Sequence, residues 1–455
     1  MPDTGIDWSA VEKEAVDILS RYLQINTTNP PGYETAGALF LKGFLEKEKI
    51  PCAIYESMPG RGSLISAYSG DTGKPDIMLL HHIDVVPAEE KKWSQPPFSG
   101  AVIDGEIWGR GAVDCKSLGI MELMAFILLK RQGLRPERHI VYAATADEEE
   151  GGAWGVKWLM DTYPEKLSTR YVINEGVGLG FSTATHTVYF CQVAEKGSCW
   201  TRIFFKGNPG HGSVPHDANC VVEMSRAIEA LSQYQFPVFI AEPVKRFIGK
   251  LAAVQDFMGE DEFMGLLDAR ESSHVLEKIP YKALRQILAA EIKNTAVPTV
   301  VHGGSKTNVI PGECYCEVDC RILPGSTPGG LAKTIDEILK GRGCKNFTVE
   351  VAGSLSSESS VETPLYRALE AGFRKHDPRA LVVPYMSPGA TDSRFFRAKG
   401  IPAYGVQMGA SLDSIERIHG HNERISIKEL TLGIKILYDV IKNFCFKKES
   451  SGYEQ

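Results

Sequence analysis

Residues 139–152 read HIVYAATADEEEGG. The first eight, His139 to Ala146, are mostly apolar and rich in β-branched and aromatic types, which predicts a buried strand. The strand runs directly into four consecutive carboxylates, Asp147 to Glu150. Upstream, Ile77 to Ile83 is a second apolar run, flanked by Pro75 and Pro87, and Tyr171 to Ile173 is a third. Between the first two lies Lys116 to Arg131 (KSLGIMELMAFILLKR), which reads as a buried helix closed by Gly133. Val11 to Leu23 and Ala36 to Lys49 read as amphipathic helices. Buried strands alternating with helices predict an α/β fold, a mostly parallel sheet with helices on both faces. Such sheets bind ligands outside the carboxyl ends of their strands, so the position of the acidic run matters.

The texture changes near Val193. Trp200 to Phe205 (WTRIFF) reads as a half-exposed strand, Val221 to Leu231 as a helix, and Pro243 to Ile292 as a long, mostly helical stretch. Strands are expected at Thr299 to Val301 and Tyr315 to Arg321. From Pro364 the pattern returns to helix, strand, helix, ending with Ile427 to Phe444. The expected organisation is a catalytic domain in two pieces, 1–193 and 356–455, interrupted by an inserted α+β domain at 194–355. No 20–50-residue repeat argues for a solenoid.

The 455 residues correspond to about two to three domains by length. A net charge of -7 argues against a nucleic-acid partner, which would require a basic face. No apolar run reaches the ~18 residues of a membrane span. The start, Met-Pro-Asp-Thr-Gly-Ile-Asp-Trp, lacks the basic and apolar regions of a secretory signal, so a cytoplasmic location is expected. Cys314, Cys316 and Cys320 share one face of a strand, without the two-by-two spacing of a structural zinc site. They are expected to be buried thiols.

Five clusters of acidic and imidazole side chains lie at strand ends or in loops: His82-Ile83-Asp84, Asp114 ahead of the buried helix, Asp147 to Glu150, Asn174-Glu175-Gly176, and His419-Gly420-His421-Asn422-Glu423. Asp84 shares a strand face with His82 and can hold its second ring nitrogen. Taken singly, each has an ordinary structural reading: a helix N-cap for Asp114, a solvated loop for the acidic run, a turn for Glu175. Together they supply two His, three carboxylates and a spare Glu. Imidazole and carboxylate suit zinc, and also cobalt or manganese. Five ligands sharing one carboxylate would hold two metals about 3.5–4 Å apart.

These motifs occur in a recognisable order: H-x-D at 82–84, G-R-G-x-x-D-x-K at 109–116, D-E-E-x-G at 147–151, E-G at 175–176 and H-x-x-N-E at 419–423. The chain resembles the zinc-dependent aminoacylase / carboxypeptidase G / succinyl-diaminopimelate desuccinylase family of metallopeptidases. The resemblance implies a di-zinc exopeptidase-like fold. It implies that His82 and Glu175 bind one Zn2+, Glu149 and His419 the other (Co2+ or Mn2+ being alternatives), and that Asp114 bridges them. It further implies Glu148 as general base, Asp84 as the group orienting His82, and a cis peptide at Asp114-Cys115. In the insert, Gly210-His211-Gly212-Ser213 resembles the family's lid motif, whose His polarises the substrate carbonyl, often from the partner subunit of a homodimer. Asn308 and Arg321 match lid positions, and Gly389-Ala390-Thr391-Asp392-Ser393-Arg394 a loop near the substrate carboxylate. Arg321 could clamp that carboxylate bidentately.

The implied activity is cleavage of the amide bond in N-acyl amino acids or small peptides with a free carboxylate, by a metal-bridging hydroxide with Glu148 as base. A dipeptidase, desuccinylase or hydrolytic deaminase on the same site is the alternative, and a non-catalytic binding relative a further one. The chain departs from the family at His81, Cys115, Ser117 and Asn174, none of them an implied ligand. The extended insert resembles the carboxypeptidase S / N-acyl-amino-acid hydrolase branch.

Overall fold

The structure is a computed structural model that describes residues 5–70, 75–176, 180–406 and 417–446. Its main sheet is built around parallel neighbours. Pro75–His82 lies between His139–Thr145 and Tyr171–Asn174, and Ala403–Gly405 continues parallel beyond Tyr171–Asn174. Thr187–Glu195 pairs in parallel with Ala380–Ser387. An antiparallel hairpin, Cys52–Glu56 and Gly62–Tyr68, finishes one edge. The sequence reading did not name that hairpin; its Ser- and Gly-containing run GSLISAY carries little alternation.

Alternate strand residues feed two cores. Ile77, Leu79, Ile140 and Tyr142 belong to one, with helices Trp8–Leu23, Lys116–Arg131 and Ile427–Cys445. Met78, Leu80, Val141 and Ala143 belong to the other, with helices Val156–Thr162 and Ser393–Arg397. Period-two alternation therefore places helices on both faces, as expected for a largely parallel sheet. Lys116–Arg131 coincides with its predicted bounds and is buried from Lys116 to Leu129, which explains its apolarity all round.

A second sheet is antiparallel throughout, in the order Thr295–Gly303, Glu313–Ile322, Gly197–Lys206, Phe347–Gly353. Helices Cys220–Gln233 and Pro328–Gly341 share a core with one of its faces. Cys314, Cys316 and Cys320 lie in that core as buried free thiols. The stretch read as helical resolves into Glu242–Ala252, Glu260–Met264, Ser272–Lys278 and Lys282–Glu291. These helices join the core of the main sheet rather than that of the second. The Phe247 ring lies 4.9 Å from Phe190 and 5.6 Å from Tyr385.

Candidate metal centre

Three neighbouring parallel strands deliver the chemistry. His82 ends its strand; Asp147 to Glu149 follow Thr145, and Glu175 follows Asn174. His82 and Thr145 are register partners, so the first two deliveries are level. The His82 Nε2 atom lies 3.0 Å from Asp114 Oδ1 and 3.5 Å from Glu175 Oε2. The His419 Nε2 atom lies 3.1 Å from Asp114 Oδ2 and 3.1 Å from Glu149 Oε2. Asp114 thus turns one oxygen to each imidazole. The two groups, His82–Asp114–Glu175 and Asp114–Glu149–His419, each gather their ligand atoms within 4.8 Å of one another. Cys115 joins the first by the same measure, and the Asp114-Cys115 peptide is cis.

The electrostatics are those of a cation site. Burial pushes the Glu175 carboxyl up to about 8. Burial likewise lifts Glu148, with the charge of Glu175 adding to it. Hydrogen bonds to Asp114 and Glu149 push the His419 imidazole up to about 11. A cation bound among these groups would offset the crowded carboxylates. The donor set fits such a cation, and Glu149 Oε1 is buried with no hydrogen-bond partner among the described residues.

Asp84 does more than its implied task. The nearer partner of His82 Nδ1 is the Asp84 backbone carbonyl at 2.9 Å, with Asp84 Oδ1 at 3.6 Å. The Asp84 carboxylate instead accepts the backbone N–H of Glu148 and of Glu149, both at 3.1 Å, and the Asn29 amide at 2.8 Å. It therefore sets the acidic loop against the His82 strand. The crowding of four carboxylates is resolved by direction. Asp147, at φ 72, turns away to accept from Arg61 at 2.5 Å, and Arg61 in turn pairs with buried Glu34 at 2.8 Å. Glu150 is exposed.

Glu423 ties two ligand loops together. It is fully buried and accepts the backbone N–H groups of Gly111, Val113 and Asp114 at 3.0, 2.7 and 2.9 Å. Arg110 donates to it at 2.8 Å and also to the Gly420 carbonyl at 2.9 Å. The helix Ile427–Cys445 starts just beyond, fixed by a capping box between Ser426 and Glu429.

A family profile described as peptidase family M20/M25/M40 matches residues 78–443, more than half of the chain. The chain belongs to this peptidase family. Among curated relatives, this M20 chain is similar to the N-fatty-acyl-amino acid synthase/hydrolase PM20D1 of Xenopus tropicalis. The identity is 27% over 398 residues, covering 86% of this chain and 76% of the relative. It is 26% identical to aminoacylase-1 of Sus scrofa over 435 residues, covering 93% and 94%. Solved structures show the same fold. The M20 metallo-carboxypeptidase Sso-CP2 from Sulfolobus solfataricus superposes with a TM-score of 0.71 at 18% identity, covering 94% of this chain and 98% of that one. The dinuclear metal-binding peptidase YXEP of Bacillus subtilis superposes with a TM-score of 0.60 at 14% identity, covering 96% and 99%. The M20 chain is a metallohydrolase.

A cavity of about 470 Å³ opens over the candidate metal centre. Asp114, Glu148, Glu149, Glu175 and His419 line it, as do Arg321, Gly389 and Thr391. The Arg321 guanidinium is engaged bidentately by Asp319, at 2.7 and 2.9 Å. The Thr391 amide and hydroxyl both donate to Glu195, at 2.8 and 3.1 Å, and the Gly389 N–H donates to Ser387. Asp319 thus takes two of the five N–H donors of Arg321, and Glu195 takes both donors of Thr391. His211 and Asn308 do not line the cavity; both are exposed on the insert, where Gly210–His211 pairs with Val309–Ile310. The Ser213 backbone N–H donates to His211 Nδ1 at 3.2 Å, which places the proton of a neutral ring on Nε2.

The departures have local reasons. His81 is fully buried against Glu122 at 3.2 Å and packs where a Cβ on Gly119 would come within 2.3 Å of its ring. Asn174 donates to Ser393, joining its strand end to the 389–394 loop. Asn29, Arg61 and Glu195 act on the site without having been singled out in the sequence, and Glu423 acts on it with no role expected for it there. For Glu423 the signal was its place in H-x-x-N-E; for the other three no local pattern exists.

Proposed function

We propose that this protein is a di-zinc amidohydrolase cleaving the amide bond of N-acyl amino acids or small peptides that carry a free carboxylate. The observation that supports it is Asp114, whose two oxygens each face an imidazole that has its own acidic partner. His82 and Glu175 would hold one ion, Glu149 and His419 the other, with Asp114 between; Co2+ or Mn2+ would fit the same donors. When bound, the ions supply Lewis acidity to a water and to the amide carbonyl. Glu148, lining the cavity beside the ligands, takes the water's proton and passes it to the leaving amine. Asp84 holds Glu148 and Glu149 in place through their backbone amides. The relatives named as an N-acyl-amino acid hydrolase and an aminoacylase favour this substrate class.

The test is metal analysis with hydrolysis of a panel of N-acyl amino acids and dipeptides. The native protein should carry two metal equivalents per chain, lose hydrolysis on chelation and regain it with Zn2+. Full activity after complete metal removal would end the reading. The panel also separates the dipeptidase, desuccinylase and deaminase alternatives.

The division at residues 194 and 355, with the antiparallel sheet as a lid, belongs to this proposal. So does a homodimer through the lid in which His211 reaches the partner's site, since His211 and Asn308 stand outside the cavity of their own chain. Mixing inactive His211→Ala and Glu148→Ala proteins should restore part of the activity if His211 acts in trans. No recovery after subunit exchange, or a fully active monomer by light scattering, would count against it. Among the described residues no helix is long and apolar enough to cross a membrane. A cytoplasmic location is proposed, to be checked by fractionation.

A further inference from the structure

Among the described residues, helices Cys220–Gln233 and Pro328–Gly341 pack on one face of the antiparallel sheet, and its other face carries no helix in a shared core. Cys199, Ile203 and Phe205 lie in the core with those helices, while Trp200, Arg202 and Phe204 alternate to the opposite face. Trp200 is 55% exposed. Its register partner on the next strand is Ala352, whose small side chain leaves the indole uncovered on that side. Trp200 and Ala352 line the cavity over the metal centre, and both also line a second cavity of about 720 Å³ along the open sheet face. The two cavities meet at the indole.

Past that point the floor changes character. Arg202 is ion-paired with Glu317 and has Glu350 as its register partner on the other side, and Asp319 holds Arg321. An alkyl chain laid along this floor would strip water from charged groups without replacing its hydrogen bonds. A flat ring has no need to travel that far. It can stop against the indole, where aromatic pairs gain from offset or edge-on contact beyond the area they bury.

We propose that Trp200 is the platform for the acyl group of the substrate, and that this group is aromatic, an aroyl or an aromatic aminoacyl residue, rather than a long alkyl chain. The proposal rests on the amidohydrolase reading above. The experiment uses the full-length, Zn2+-reconstituted protein with N-acetyl-, N-benzoyl- and N-lauroyl-leucine. N-benzoyl-leucine should exceed both others in kcat/KM by about tenfold or more. Trp200→Ala should cut the benzoyl value by about tenfold and leave the acetyl value within about twofold, and Trp200→Phe should retain most of it. N-lauroyl-leucine as the best substrate, or an equal loss on all three in Trp200→Ala, would overturn the proposal. If none of the three is hydrolysed, the amidohydrolase reading is decided by the wider panel and the metal analysis above. The platform would then be decided by calorimetric binding of benzoate, weakened about fivefold or more by Trp200→Ala if it is right and unchanged if it is wrong.

Discussion

Glu148→Gln is expected to lower kcat by about 10²–10⁴-fold while both metal ions remain bound. The size of the effect follows from the role proposed for this side chain, that of the only proton acceptor for the attacking water. Its neighbours His82, Asp114, Glu149, Glu175 and His419, in imidazole–carboxylate pairs at 3.0 to 3.5 Å, are the proposed ligands. The retention of metal follows from the backbone. Asp84 accepts the N–H of Glu148 and of Glu149 on separate oxygens, so the loop stays in register whatever the side chain at 148. Gln preserves the volume and removes only the ability to accept a proton. Metal content by mass spectrometry and kcat on an N-acyl amino acid give the two readouts. A fully loaded Glu148→Gln protein with near-native kcat would take the base role away from this residue. A protein that lost its metal would show instead that 148 is a ligand position.

The strand and helix framework of the main sheet was legible because burial on both faces imposes a strong pattern. IMLLHHI, HIVYAATA and the helix 116–131 have no solvent side to break their apolar runs. Four of the expected ligands, His82, Asp114, Glu149 and Glu175, stand out in the sequence because each sits where a buried strand or helix meets a loop, leaving charge at an abrupt boundary. What escaped was carried by contacts without local periodicity. Arg61 meets Asp147 across 86 positions, and Asn29 meets Asp84 across 55. The partners of the expected substrate-side residues escaped for a related reason. Arg321 and Thr391 line the cavity with donors that suit a carboxylate, but no local pattern announces that Asp319 and Glu195 bind them. Residue type predicts what a side chain can donate; only the fold shows to whom it already does. The helices of 242–291 show the same limit at a larger scale, since their amphipathic faces could have met either sheet.

Glu423→Ala is expected to be as damaging as loss of a ligand, although Glu423 touches no metal position. One carboxylate there satisfies three backbone N–H groups of the loop that presents Asp114 and one nitrogen of Arg110. Removing it leaves a buried guanidinium and three buried donors without their acceptor, a class of change that costs about 3–5 kcal/mol. The cost falls on function as well as on stability. The same residue ends the loop bearing His419, and Arg110 reaches from Glu423 to the Gly420 carbonyl. Asp114 and His419 should therefore lose their mutual register together. Glu423→Gln keeps one acceptor oxygen but turns an NH2 group toward amide donors, so it should fall between wild type and alanine. The expected result is a lowered thermal midpoint and fewer than two metals per chain in Glu423→Ala, with Glu423→Gln intermediate, against unchanged metal content in Glu148→Gln. If Glu423→Ala kept both the native midpoint and two metals, the clamp would be ornamental, and the convergence of Asp114 and His419 would have to come from the helices that flank them.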